Sequence, residues 1–147
     1  RIEPDIRATM WTKLAMNCAY NAVSALGRAR YARLAFNESS VELMGIVVRE
    51  LIAVAAAEGV PLDFDAVFAR VLELGDTMGT AISSTGQDIA AGRRTEIEDL
   101  NGCVVRRGLA RGVPTPVNDV LVRLVRILER APADPAFYPR QLPERLD

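Results

Sequence analysis

The 147-residue chain has no histidine, a single lysine, two cysteines and only 5% aromatic residues. Each scarcity excludes a class of chemistry. Without histidine there is no His-based nucleophile system and no imidazole ligand. Cys18 and Cys103 stand far apart with no CxxC spacing, so the usual zinc signatures are missing and no metal site is expected. Two cysteines cannot build a disulfide framework, and two reduced, buried thiols are the expectation. The few aromatics leave little for base-stacking platforms, and 18 basic against 19 acidic residues argue against nucleic acid as a partner. No apolar run approaches the roughly 20 residues that span a bilayer; the clearest, Leu51 to Ala57, follows Arg49 and Glu50, so no membrane partner is expected either. The composition that is present, 50% hydrophobic and 25% charged, is that of a soluble globular domain. The opening Arg1-Ile2-Glu3-Pro4-Asp5 has no initiator Met and no signal-peptide features, and reads as the start of a fragment of a longer protein.

Apolar residues recur at three and four spacing almost throughout, and no Asn-Gly or Asp-Gly turn separates alternating segments, so the fold class is all-α. A first helix is expected from about Ile6 to Leu34, with Met10, Leu14, Cys18, Ala22 and Ala25 on one stripe. Ser39 and Glu42 have capping-box spacing and open a second helix to Glu58, where Gly59 and Pro61 stop it. Asp63 starts a third, carrying Phe64, Val67, Phe68, Val71 and Leu74. A fourth opens at Ser84, again with capping-box spacing to Gln87, and continues through Ile89, Ile97, Leu100, Val104 and Leu109 to Gly112. Gly92 is anomalous inside it, at a cost of ~1 kcal/mol relative to Ala, and implies a kink or a close approach. A last helix covers about Val117 to Arg130. Residues 1–130 thus read as one helical domain, and 131–147, with four prolines, as an irregular tail. The phrases Glu58-Gly59-Val60-Pro61 and Arg111-Gly112-Val113-Pro114 read as shared helix-stop chemistry, not as an internal repeat.

Seventeen arginines and one lysine make Lys13 a candidate for a task guanidinium cannot perform. Proton donation is such a task, because arginine holds its proton while a partly buried lysine titrates. An ordinary surface lysine is the competing interpretation. Lys13, Asn17 and Asn21 follow at i, i+4 and i+8, drifting about 40° per step and forming a polar stripe about 12 Å long. Asparagines are weak helix formers, and inward-facing amides need partners such as a polar ligand; the alternative is a solvated face. The segment Ser83-Ser84-Thr85-Gly86 suits a carboxylate at a helix N-terminus, or is a plain cap. Ser84 and Glu96 point about 120° apart on a straight helix, so one ligand meets both only at the cap or across a bend.

Trp11-x-Lys13-Leu14-x-x-Asn17-x-x-x-Asn21, then Ser83-Ser84-x-x-Gln87-Asp88, then Gly92-Arg93-x-Thr95-Glu96-Ile97-x-x-Leu100-Asn101-Gly102 and Gly112-Val113-x-x-Pro116-x-Asn118 together resemble the C-terminal domain of the ketopantoate reductase (2-dehydropantoate 2-reductase) family, over about residues 5 to 128. The resemblance implies a helical bundle like the C-terminal domain of 6-phosphogluconate dehydrogenase. It also implies a cytoplasmic NADPH-dependent reductase that makes pantoate for coenzyme A synthesis. By resemblance, Lys13 is the general acid at the C2 carbonyl oxygen, Asn17, Asn21 and Ser84 bind the 2-oxo acid substrate, and Glu96 is catalytic and touches the cofactor side, setting the electrostatics around Lys13. All five are then expected on one concave surface, with Lys13 and Glu96 close enough to pair.

Two departures stand out. Some family members carry an amide-bearing substrate contact where this chain has Tyr31. No GxG occurs anywhere, so the N-terminal Rossmann domain that would bind most of the NADPH is absent, and this chain alone is expected to be inactive. The expected partners are a small 2-oxo acid, the chain's own Rossmann domain and, through the alanines at 53 and 55–57, a second copy in a homodimer. The competing functions are a paralogue reducing another branched 2-oxo acid and a non-catalytic helical dimerisation module.

Overall fold

A computed structural model describes residues 5–131, and the tail expected over 131–147 lies outside them but for Ala131. Seven helices follow in order, with no strand among the described residues: α1 (Ile6–Gly27), α2 (Tyr31–Ala35), α3 (Glu38–Ala57), α4 (Phe64–Thr77), α5 (Ser84–Ala90), α6 (Asn101–Arg111) and α7 (Pro116–Arg130). The all-α reading holds. None of the helices is long and apolar enough to cross a membrane.

α1 is the axis. Every residue from Cys18 to Ala25 is buried, and α2, α3, α4, α5 and α7 all pack on it. A helix buried all round needs small side chains where its neighbours cross, and Ala15, Ala19, Ala22 and Ala25 supply them. Met44, Val47, Val48, Leu51 and Val54 of α3, with Val71 of α4, Val104 of α6 and Val125 of α7, complete the core. Met10 and Leu109, assigned above to apolar faces, are instead 66% and 83% exposed.

Three helix boundaries differ from the sequence reading. The first helix ends at Gly27 rather than Leu34, because Arg28 adopts a left-handed conformation (φ 51°). The Ser24 hydroxyl there donates to the Ala29 carbonyl at 2.7 Å and turns the chain back. The second helix is capped by Asn37, whose side chain accepts from Ser40 N–H at 3.1 Å, and not by Ser39. Asn caps as well as Ser and is reached first.

The third difference is the largest. The single helix expected from Ser84 to Gly112 is two, α5 and α6, separated by an irregular segment from 91 to 100. Gly92 is the glycine after the α5 cap: it has φ 68°, Gly92 N–H bonds to Ile89 O at 3.1 Å and Arg93 N–H to Asp88 O at 2.8 Å. That pair of bonds is the Schellman motif. It recurs at Gly59, with Val60 N–H on Ala55 O, and at Gly112, with Val113 N–H on Gly108 O. The two resembling phrases are therefore the same stop, as the sequence suggested, and Gly92 is a third instance.

Candidate functional site

The polar stripe on α1 runs from surface to interior: Lys13 is exposed, Asn17 half-buried and Asn21 only 5% exposed. Lys13 and Asn17 line a cleft of about 530 Å³ between α1, the end of α3 and α6. Its walls include Trp11, Leu14, Glu58, Cys103 and Arg107. Arg107 pairs with Glu58 at 2.6 Å and lies over the Trp11 ring at 5.3 Å, while Arg7 donates to the Glu58 carbonyl at 2.9 Å. Glu58 thus engages both arginines, Arg107 through its carboxylate and Arg7 through its backbone carbonyl, and the lone lysine stands at the same cleft with neither an ion pair nor a side-chain hydrogen bond among the described residues.

Asn21 sits beyond this cleft, where α5 meets α1. Ser83, not Ser84, caps α5: its hydroxyl accepts from Gly86 N–H at 3.0 Å and donates to the Asn21 carbonyl at 3.1 Å. With two adjacent serines either could cap, and Ser83 is the one held against α1. Ser84 is consequently the first residue of α5 and exposed, one position after the serine that contacts Asn21. On the other flank the Tyr31 hydroxyl donates to Asn21 Oδ1 at 3.3 Å.

Glu96 is exposed in the segment between α5 and α6 and makes no ion pair with Lys13. Its neighbours are anchored. Thr95 donates through both its N–H and its hydroxyl to Glu129 of α7, and the Ile97 side chain is buried. Glu98 accepts from Arg126 at 2.5 Å and pairs with Arg106 at 3.4 Å; these guanidiniums, Arg126 foremost through its hydrogen bond, hold the Glu98 carboxyl below the usual carboxylate range. The structure therefore joins Lys13 with Asn17 in one cleft and Asn21 with the start of α5, and leaves Glu96 unpaired.

Asn101 and Asn118, carried above only as motif positions, form the interior polar network. Asn101 Nδ2 donates to the Cys18 carbonyl and to Asn118 Oδ1; Asn118 Nδ2 donates to Glu50 and to the Val47 carbonyl. Glu50 also accepts from the N–H groups of Val117 and Asn118, so its carboxylate caps α7. The signal was only their place in the motifs, since the charged residues around them, Asp99 and Asp119 among others, hide that these two asparagines face the core. Cys18 is buried, which pushes its thiol pKa up, and Cys103 is half-buried; both are free thiols.

Comparison with known proteins agrees with this picture. The family model described as ketopantoate reductase PanE/ApbA C terminal matches residues 5–129. The 2-dehydropantoate 2-reductase of Pyrobaculum aerophilum is 38% identical over 129 residues, covering 88% of this chain and 46% of that protein. The one of Caulobacter vibrioides is 38% identical over 121 residues, covering 82% and 41%. The crystal structure of a PanE/ApbA family ketopantoate reductase from Ralstonia eutropha superposes with TM-score 0.79 at 46% identity, covering 86% of this chain and 42% of that one. A D-mandelate dehydrogenase in complex with NADH and anilino(oxo)acetate superposes with TM-score 0.82 at 30% identity, over 86% and 42%. The chain spans less than half the length of these relatives. It belongs to the family of ketopantoate reductase C-terminal domains.

Proposed function

We propose that this chain is the substrate-binding, proton-donating part of an NADPH-dependent 2-oxo acid reductase that converts 2-dehydropantoate to pantoate for coenzyme A synthesis in the cytoplasm. The observation that carries the reading is the position of the only lysine: Lys13 shares a cleft with Asn17, at one end of the stripe that Asn21 continues. Reduction of a 2-oxo acid adds a hydride to C2 and a proton to the carbonyl oxygen. The nicotinamide coenzyme supplies the hydride when bound. The described residues contain no strand followed by a glycine-rich turn, so they do not fit the pyrophosphate of a dinucleotide, which is held chiefly elsewhere in the protein. Glu96 would be this chain's contribution on the coenzyme side.

What remains falls to this chain. As negative charge develops on the carbonyl oxygen, the Lys13 ammonium stabilises it and then gives up its proton, leaving a neutral amine and a hydroxyl at C2. Asn17, Asn21 and the Ser84 hydroxyl hold the carboxylate and hydroxyl oxygens, keeping C2 in one orientation. Glu96, which is not paired with Lys13 in this structure, is the carboxylate that would favour the charged ammonium until transfer. The similarity to a D-mandelate dehydrogenase favours a second reading, reduction of another 2-oxo acid by the same residues. Self-association is part of the proposal: Val120, Leu124 and Ile127 form an exposed apolar stripe on α7, and Ala53, Ala56 and Ala57 face out on α3, whereas Ala55 is in the core.

The test is coenzyme oxidation by the full-length protein that contains this chain, with 2-dehydropantoate and, separately, phenylglyoxylate. Turnover of the first with NADPH is expected. Preference for the second supports the alternative, and turnover of neither contradicts both.

A further inference from the structure

Within the stripe, only Asn21 has its side chain tied down by hydrogen bonding from inside the chain. Its Oδ1 accepts from the Tyr31 hydroxyl at 3.3 Å, and its own carbonyl accepts from Ser83 at 3.1 Å. Tyr31 is itself immobilised. Its ring stacks on Tyr20 with centroids 4.4 Å apart, the Tyr20 hydroxyl donates to the Val71 carbonyl at 2.9 Å, and Tyr31 N–H donates to the Ala81 carbonyl at 3.2 Å. Burial raises the Tyr31 phenol pKa, so the hydroxyl keeps its proton across neutral pH.

An asparagine amide offers two donors on nitrogen and an acceptor on oxygen. Here the oxygen is engaged, while Nδ2 is bonded to nothing among the described residues. Among the described residues the fully buried, unpartnered side-chain atoms are Thr85 Oγ1 and Asn101 Oδ1; Asn21 Nδ2 is not one of them, so it has access to solvent. A residue 5% exposed with both donors unspent and one open edge is built to donate outward.

We propose that Tyr31 is a positioning residue that fixes the Asn21 amide with its nitrogen outward, so that Asn21 presents only N–H donors and selects an oxygen acceptor, such as a carboxylate oxygen of the ligand. This rests on Asn21 belonging to the ligand site. Tyr31 then acts through its neighbour instead of touching the ligand.

The experiment is steady-state kinetics of the full-length protein with 2-dehydropantoate. Tyr31→Phe keeps the ring stack and removes one hydrogen bond; KM is expected to rise about five- to tenfold with kcat nearly unchanged. In an Asn21→Ala background the same substitution should change nothing. Asn21→Asp still accepts from Tyr31 but replaces the outward donors with an acceptor, so it should raise KM more than Asn21→Ala does, and it tests the amide orientation without altering Tyr31. An unchanged KM for Tyr31→Phe, full additivity with Asn21→Ala, or an Asn21→Asp protein that binds as well as the parent overturns the proposal. Lys13→Ala, run in parallel, separates the outcomes: its inactivity beside an additive Tyr31 cycle removes the positioning role alone, whereas its full activity removes the reading of the whole site.

Discussion

Asn101 Nδ2 lies 3.0 Å from Asn118 Oδ1 in the interior, with neither residue exposed to solvent. The pair links four helices, because Asn101 also reaches α1 at Cys18 and Asn118 reaches α3 at Val47 and Glu50. Replacing Asn101 with Ala would leave the Cys18 carbonyl and Asn118 Oδ1 without this donor in a closed interior. A loss of about 2–4 kcal/mol in urea unfolding is expected. A loss below about 0.5 kcal/mol would show that the network carries little stability.

Glycines 75 and 92 should respond in opposite order to their look in the sequence. Gly75 lies inside α4, where Ala would be favoured by helix propensity, yet an added Cβ would stand 2.2 Å from Ala35 Cβ and 3.0 Å from the Tyr20 hydroxyl. Gly92 has open space around its Cβ position, so Ala there faces only the left-handed backbone, about 1 kcal/mol. Thermal unfolding should place Gly75→Ala well below Gly92→Ala; the reverse order would contradict the close contact of α2 with α4.

These glycines show how far the sequence could be read. Period and stop chemistry were legible: Asp63 does cap α4, accepting from Ala66 N–H, and Gly59 and Gly112 do end their helices. The break at Gly92 was visible as an anomaly but not as an end, since apolar spacing resumes at Ile97 and Leu100 in register with a continued helix. The stripe could be placed on one helix face, and Lys13 and Asn17 line the same cleft. What could not be read were the long-range pairings, Ser83 with Asn21 and Thr95 with Glu129, which depend on helix crossings that no local pattern encodes.

Glu98 should give the fold a measurable acid dependence. Its folded pKa is depressed by Arg126 and Arg106, so its contribution is fully present above the ordinary carboxylate value of 4.5 and is lost as pH falls through the folded value. The stability gap between the parent and Glu98→Gln should be open at neutral pH, close in acid and narrow with added salt. A gap that is constant with pH would assign Glu98 no electrostatic role.

Self-association is checked by sedimentation at micromolar concentration. A species near twice 16.0 kDa is expected for the isolated chain, weakened by Ile127→Glu on the α7 stripe. A single 16.0 kDa species would contradict it without touching the assignment of Lys13.

The most direct test of the central claim is single-turnover reduction of 2-dehydropantoate by the full-length protein carrying Lys13→Ala, with Lys13→Arg beside it. Loss of the general acid should slow the chemical step by at least ~10²-fold while the unfolding profile stays that of the parent, and arginine should not restore the rate because it keeps its proton. A chemical step in Lys13→Ala within a few-fold of the parent would contradict the account, whatever the neighbouring asparagines do.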